Sequence, residues 1–76
     1  MKLYKLTYET EVVILAEDEK EALANAQYYV KDETPELVDI ELVQSMGQIS
    51  NWKGCIPYSA RPGYNDLEKR CEEFVK

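Results

Sequence analysis

The chain has 76 residues, of which 15 are acidic and 9 basic, so its formal net charge at pH 7 is −6. Residues 1–76 are predicted to form a single domain whose thin hydrophobic core leaves little room for a deep ligand pocket. An acidic surface repels nucleic acid and anionic membranes, so we expect direct binding to neither of them.

The first segment predicts a β-strand. From Tyr4 to Ala16 the even positions are mostly apolar, and the odd positions are polar until the last few residues. This period of two is typical of a strand with one buried face. No Gly, Pro or Asn marks a tight turn, so one long bent strand is the preferred interpretation. A break near Glu9 and Thr10 is the alternative, because strands rarely exceed about 10 residues.

A helix is predicted next, with Asp18 as its N-cap and Glu21 completing a capping box. Its apolar stripe consists of Ala22, Leu23, Ala26, Tyr29 and Val30. Thr34 and Pro35 are predicted to end the element, because a residue that precedes proline avoids the helical conformation.

A second strand is predicted from about Leu37 to Met46, either parallel or antiparallel to the first. Residues 47–63 have the Gly and Pro content of an irregular segment, which can include one short edge strand. A last helix is predicted to begin after an Asn65 cap, with Glu68 at the box position. Its stripe is Leu67, Cys71, Phe74 and Val75.

These elements predict an α+β fold, a two-layer sandwich in which two helices cover one face of a small β-sheet. The opposite face is expected to be open, polar and acidic. The side chains predicted to lie on it are Lys5, Thr7, Glu9, Glu11, Asp39 and Glu41.

Catalytic motifs are absent from the sequence. There is no histidine, and no glycine-flanked serine, phosphate-binding loop or dinucleotide fingerprint occurs. We therefore expect no enzymatic activity and no cofactor. A carboxylate-based enzyme is the alternative, and it would require a carboxyl group with a strongly raised pKa.

The two cysteines are predicted to be small core residues. Cys71 lies on the apolar stripe of the last predicted helix, and Cys55 is adjacent to Ile56. A structural zinc ion needs four ligands, so two thiols could complete a site only across a dimer. A disulfide is the other alternative.

Charge is concentrated in the middle of the chain, where residues 9–41 contain eleven acids and two lysines. Such a field attracts a basic partner, although a solvated face is the plainer interpretation. The acidic residues predicted to bind a partner are Glu9, Glu11, Glu17, Asp18, Glu21, Asp39 and Glu41. Tyr28, Trp52 and Tyr58 are candidate aromatic anchors, unless they serve to cap the small core.

Three segments carry a resemblance to known proteins: Tyr4–Ala16, the alanine-rich Glu17–Ala26, and Trp52–Tyr58 with the polar turn after it. Together they resemble small proteins of bacteriophages and mobile elements, some of which, the anti-CRISPR proteins among them, inhibit host defence. The resemblance implies an inhibitor that acts in the host cytoplasm, but it transfers no functional residue.

The expected function is therefore that of a non-enzymatic module that binds a protein with a basic surface and occupies a site that handles nucleic acid. The alternative is a structural or regulatory subunit that forms a homodimer through an open sheet edge or its aromatic region. No apolar leader follows Met1, so a cytoplasmic location is expected.

Overall fold

A computed structural model describes residues 1–30 and 36–75. It contains the strands β1 (Lys2–Thr7), β2 (Glu11–Ala16), β3 (Asp39–Leu42) and β4 (Tyr58–Ser59), and the helix α1 (Glu19–Ala26). Three short 3₁₀ segments span Gln27–Tyr29, Met46–Trp52 and Cys71–Glu73. The strands form one mixed sheet in the order β3-β1-β2-β4, with β4 parallel to β2 and the other pairs antiparallel.

The preferred prediction of one long strand from Tyr4 to Ala16 is wrong, and the alternative break is correct. The segment is a hairpin in which Thr7 lies opposite Glu11. Tyr8 N donates to the Thr10 carbonyl oxygen at 2.8 Å, which closes a tight loop with Glu9 at its tip. Because the loop keeps the alternation of side chains in phase, the sequence pattern alone does not reveal the reversal of the chain.

One face of the sheet packs against α1. The even-numbered apolar side chains of β1 and β2 form a cluster with Ala22 and Ala26 of the helix. The predicted N-cap is confirmed, since Asp18 Oδ1 accepts the Glu21 N–H at 2.8 Å. The predicted capping box is incomplete, because the Glu21 side chain accepts the N–H of Glu17 and not that of Asp18. Alanines let the helix lie close to the sheet, while Leu23 of the predicted stripe stays largely exposed.

The other face is covered at one end by a second cluster, in which Leu3, Val13 and Leu15 contact the buried side chains of Ile49 and Cys71. The 3₁₀ segments Met46–Trp52 and Cys71–Glu73 supply this cover. The expectation that this face is wholly open is therefore wrong. It is polar only beyond Lys5, toward the hairpin loop.

The α+β class is confirmed, but the C-terminal segment lies on the face opposite α1 and is not the predicted helix. Asn65 Oδ1 accepts the Lys69 N–H at 2.9 Å in a turn, and Glu68 has a positive φ of 50° that a helix cannot contain. Cys71 N then donates to the Cys55 carbonyl oxygen at 2.9 Å, which holds the segment against the irregular region.

The remaining two strands, β3 and β4, form within the segments in which strands were predicted. β3 is antiparallel to β1 and shorter than the predicted Leu37–Met46, because the chain turns after Leu42. β4 is the expected short edge strand. The predicted helix is too long, because α1 ends at Ala26, the 3₁₀ turn after it ends at Tyr29, and Val30 is extended; Thr34 and Pro35, which were predicted to end it, lie outside the described residues. No helix in the described part of the chain is long and apolar enough to cross a bilayer.

Ile49 is completely buried in the second cluster, so Ile49→Ala should create a cavity under the sheet. We expect the free energy of unfolding to fall by about 2–5 kcal/mol, a large share of the stability of so small a domain. Thermal unfolding followed by circular dichroism measures the change. Leu67→Ala removes an exposed side chain and should change the stability by less than about 0.5 kcal/mol. Equal melting of Ile49→Ala and wild type would contradict the placement of this cluster.

Candidate acidic interface

The strand register brings together acids that are far apart in the sequence. Thr7 of β1 lies between Glu11 of β2 and Asp39 of β3, and in the next row Lys5 lies opposite Glu41. Glu9 is exposed in the adjoining hairpin loop. We call Glu9, Glu11, Asp39 and Glu41, with Lys5 among them, the hairpin-end patch. Four carboxylates and one ammonium give it a formal charge of −3.

Lys5 links this patch to the cover of the sheet. Its Nζ lies 3.0 Å from Glu41 Oε2 and also donates to the Gln48 carbonyl oxygen at 3.0 Å. The hydrogen bond and charge of Glu41, with the more distant charges of Glu11 and Asp39, hold the pKa of Lys5 above its usual value although partial burial opposes this. Lys5 therefore stays protonated and fixes Glu41, whereas Glu9, Glu11 and Asp39 form no ion pair among the described residues.

The second predicted acidic group lies at the start of α1 and is mostly engaged within the chain. Glu21 Oε1 accepts the Glu17 N–H and the Tyr64 hydroxyl, each at 3.0 Å, and Oε2 lies 2.6 Å from Arg61 Nη2. The Glu17 N–H, then the Tyr64 hydroxyl and Arg61, hold the pKa of the Glu21 carboxyl below its usual value. Asp18 is occupied as the N-cap. Glu21 and Asp18 thus stabilise the fold, and Glu17 is exposed beside them.

The two acidic groups do not form one field. Glu11 begins β2 and Ala16 ends it, so the five intervening steps separate the hairpin end from the helix start by roughly 17 Å along the strand. The Debye length at physiological ionic strength is about 8 Å, and exposed charges farther apart are largely screened from each other. A basic partner would therefore encounter two separate groups.

Two of the three predicted aromatic anchors, Trp52 and Tyr58, lie at a third place, the β4 edge. The rings of Tyr29 and Tyr58 are stacked with their centroids 4.0 Å apart, and Trp52 meets Tyr58 edge-on at 5.9 Å. The Tyr29 hydroxyl also donates to the Ser59 carbonyl oxygen at 3.2 Å. Trp52 is half-buried against the second cluster, which agrees with the interpretation that it caps the core. Tyr28, with 77% of its surface exposed, projects from the end of the helix.

The two cysteines differ in their exposure, and one pocket lies beside the C-terminal segment. Both thiols are free. Cys71 is buried as expected, and burial raises its pKa to about 11. Cys55 is exposed, so its predicted burial beside Ile56 is wrong. A shallow pocket of about 240 Å³ lies between Met1, Tyr64, Leu67 and Phe74. No group of three or more potential metal ligands occurs among residues 1–30 and 36–75.

No protein-family model, no curated protein and no solved structure matches this chain. The arguments for function therefore rest on the geometry of the chain itself.

The sequence analysis missed the positions or contacts of four residues in these regions. Lys5 was placed on the polar face, but its pairing with Glu41 depends on the β1–β3 register. Tyr29 was assigned to the core and instead lies against the β4 edge. Val38 and Leu42 fall within the predicted second strand, yet both are exposed. Of these residues, only Lys5 could have been recognised in advance, because it occupies an odd-numbered position on the same predicted face as the acids.

The network around Glu21 should make folding stability depend on acid pH. Its pKa in the folded chain is lower than the ordinary value of 4.5, so its ionised form stabilises the fold above about pH 4.5, and this contribution is lost as the pH falls through the folded pKa. Glu21→Gln should remove this dependence. The difference in melting temperature between wild type and variant should thus be largest above pH 4.5 and shrink on acidification.

Arg61→Gln is the matched variant, because it removes the ion pair and leaves the stronger effect of the Glu17 N–H in place. It should keep most of the pH dependence of the wild type. Melting curves between pH 2.5 and 7 test both variants. The same loss of stability on acidification in Glu21→Gln and wild type would show that the network does not form.

Proposed function

We propose that this chain is a non-enzymatic protein-binding module that recognises a basic surface of another protein through the hairpin-end patch. The observation that supports the proposal is the register of three strands, which places Glu11 and Asp39 on either side of Thr7 with Glu41 in the next row. Their backbones are held in a sheet, so the carboxylates are positioned before a partner arrives. Preorganised charge of one sign raises association rates and favours partners of opposite charge.

The hairpin-end patch is a better candidate than the helix start. Glu21 is neutralised by Arg61 and Asp18 caps the helix, so a partner would have to compete with bonds that stabilise the fold. At the hairpin end only Glu41 is paired among the described residues, and Lys5 holds it in place. Glu9 and Asp39 are exposed to solvent. Their charges are available to a partner without loss of an internal contact.

The partner class that fits this patch best is a protein that handles nucleic acid, because such proteins present lysines and arginines that bind phosphates. A rigid array of carboxylates can occupy those side chains in place of a phosphate backbone. The resemblance to small phage and mobile-element proteins agrees with this proposal, and we propose inhibition of a host defence protein as its biological outcome.

Two observations support a binding role over a catalytic one. The pKa values of the Glu21 and Glu72 carboxyls are lowered, by the N–H groups of Glu17 and Gly54 first of all, whereas a general acid at neutral pH needs a raised one. The pocket near Tyr64 is smaller than the roughly 300 Å³ at which small-molecule sites usually begin. A binding role requires neither a carboxyl group with a raised pKa nor a large pocket.

The proposal predicts that neutralising the patch abolishes binding. The triple variant Glu9→Gln, Asp39→Asn and Glu11→Gln removes three charges and leaves the Lys5–Glu41 pair intact. We expect it to lower the affinity for the partner by roughly tenfold or more, and to weaken the dependence of the affinity on salt. Tagged wild-type protein, used on bacterial lysate at low and high salt with mass spectrometry, identifies the partner, and titration calorimetry with the purified partner gives the affinities.

The matched control is Glu17→Gln, Glu19→Gln and Glu68→Gln, which makes the same change in net charge at exposed positions away from the patch. It should bind within about twofold of wild type, since exposed charges more than a Debye length from the interface contribute little. Equal losses in both variants would show that only net charge matters. Unchanged binding in the patch variant would overturn the proposal.

A further inference from the structure

The sheet has two edge strands, β3 and β4, and the described chain places no further strand beside the outer edge of β3. β3 is the first strand in the order β3-β1-β2-β4, and β1 is its neighbour on the inner side. An edge strand presents backbone N–H and C=O groups that can pair with a strand from another molecule. Which groups β3 presents follows from its register with β1.

Val43 N donates to the Leu3 carbonyl oxygen at 2.9 Å, in register with the β1–β3 pairing. Because inward and outward residues alternate in an antiparallel ladder, Glu41 also bonds to β1, and the peptide groups of Ile40 and Leu42 point away from it. Gln48 Nε2 donates to the Leu42 carbonyl oxygen at 3.0 Å, which confirms that this oxygen points outward. Among the described residues nothing bonds to the Ile40 N–H, the Ile40 carbonyl oxygen or the Leu42 N–H, so these groups remain for another strand.

The opposite edge of the sheet is closed by contrast. Ala60 N donates to the Leu15 carbonyl oxygen at 2.9 Å, so in the parallel β2–β4 pair the Ser59 peptide groups point outward. The Tyr29 hydroxyl binds the Ser59 carbonyl oxygen, and the Tyr29 ring is stacked on Tyr58. Of the two edges, β3 is therefore the one that can accept a strand.

The side chains of β3 divide by face. Leu42 pairs with Tyr4 and therefore lies on the face that carries α1, where it is 40% exposed, although Ile40 two residues before it packs on the core. Asp39 and Glu41 lie on the other face, beside Glu11 in the hairpin-end patch. A strand added along β3 would thus have apolar neighbours on one face and carboxylates on the other.

We propose that β3 binds an extended segment of the partner protein in which basic and apolar residues alternate, adding a fifth strand to the sheet. Its basic side chains lie next to Asp39 and Glu41, and its apolar side chains cover Leu42. Backbone hydrogen bonds to Ile40 and Leu42 set the register. This inference rests on the proposed function, because it uses the same acids, and it adds the conformation and sequence pattern of the bound segment.

A second copy of this chain fits the edge less well. Antiparallel pairing of two β3 strands through Ile40 and Leu42 places Glu41 of one copy opposite Asp39 or Glu41 of the other. Like charges directly opposite each other destabilise a strand pair, whereas a lysine or arginine at that position stabilises it. Charge complementarity therefore selects a basic segment as the occupant.

The test uses the full-length protein, labelled with ¹⁵N, and a synthetic peptide with capped termini and the sequence Lys-Val-Lys-Val-Lys-Val-Lys. Amide hydrogen exchange by NMR reads each backbone group separately. In the free protein the Val43 amide should be protected, while the Ile40 and Leu42 amides should exchange rapidly. At saturating peptide, exchange at Ile40 and Leu42 should slow by about tenfold or more as their N–H groups become hydrogen-bonded. A control peptide, Lys-Lys-Val-Val-Val-Lys-Lys, keeps the composition and charge but not the alternation, and it should give no such protection.

The outcomes separate this inference from the proposed function. Shifts at Glu9, Glu11 and Asp39 without protection at Ile40 and Leu42 would overturn strand addition and leave an acidic binding patch. Equal protection by both peptides would also overturn it. No shift with either peptide would count against the patch itself as well as the strand. Protection that rises with protein concentration in the absence of peptide would show that the occupant is a second copy, contrary to the proposal.

Discussion

The structure depends on one constraint, which is that β2 is buried on both faces. All residues from Val12 to Ala16 are buried, so both faces of the strand must be covered. A chain of 76 residues has little material for two covering layers. It supplies one 8-residue helix to the first face and short 3₁₀ segments to the second, with Ile49 and Cys71 as their buried contacts. The sheet is buried on both faces only where it lies between these two layers.

The cover ends at β3, and this explains where the candidate interface lies. Charged and exposed residues on this strand tolerate water, so β3 can remain at the edge without a layer over it. The same uncovered position makes the carboxylates and the outward peptide groups accessible to another protein. The candidate interface thus coincides with the part of the sheet that the described layers leave uncovered.

Much of this fold could be predicted from the sequence, and the errors have a common cause. Alternation in Tyr4–Ala16 and the capping box of Asp18 and Glu21 are local signals, and both elements form as β-structure and helix. The hairpin turn was missed because its loop keeps the phase of the pattern. The helix predicted after Asn65 failed because a contact distant in sequence, from Cys71 N to the Cys55 carbonyl oxygen, fixes that segment instead. Local patterns do not encode such contacts.

The candidate site was predictable in composition but not in grouping. The excess of acids in residues 9–41 is evident in the sequence. Their division into a hairpin-end patch and a helix start depends on strand length and register, as does the internal use of Glu21 by Arg61 and Tyr64. The sequence analysis treated the acidic residues as one field, whereas the fold separates them into two groups with different roles.

Lys5 shows how stability and binding are connected in this molecule. Its ion pair with Glu41 and its bond to the Gln48 carbonyl oxygen hold the second cover on the sheet, so the patch must contain one base. Glu9, Glu11 and Asp39 then remain at one end of the sheet without a counter-ion among the described residues, and like charges gathered at one place repel one another. A basic segment of a partner would relieve that repulsion, and a ligand that binds only the folded chain stabilises it. In the proposed function, this charge arrangement thus favours association with a basic partner.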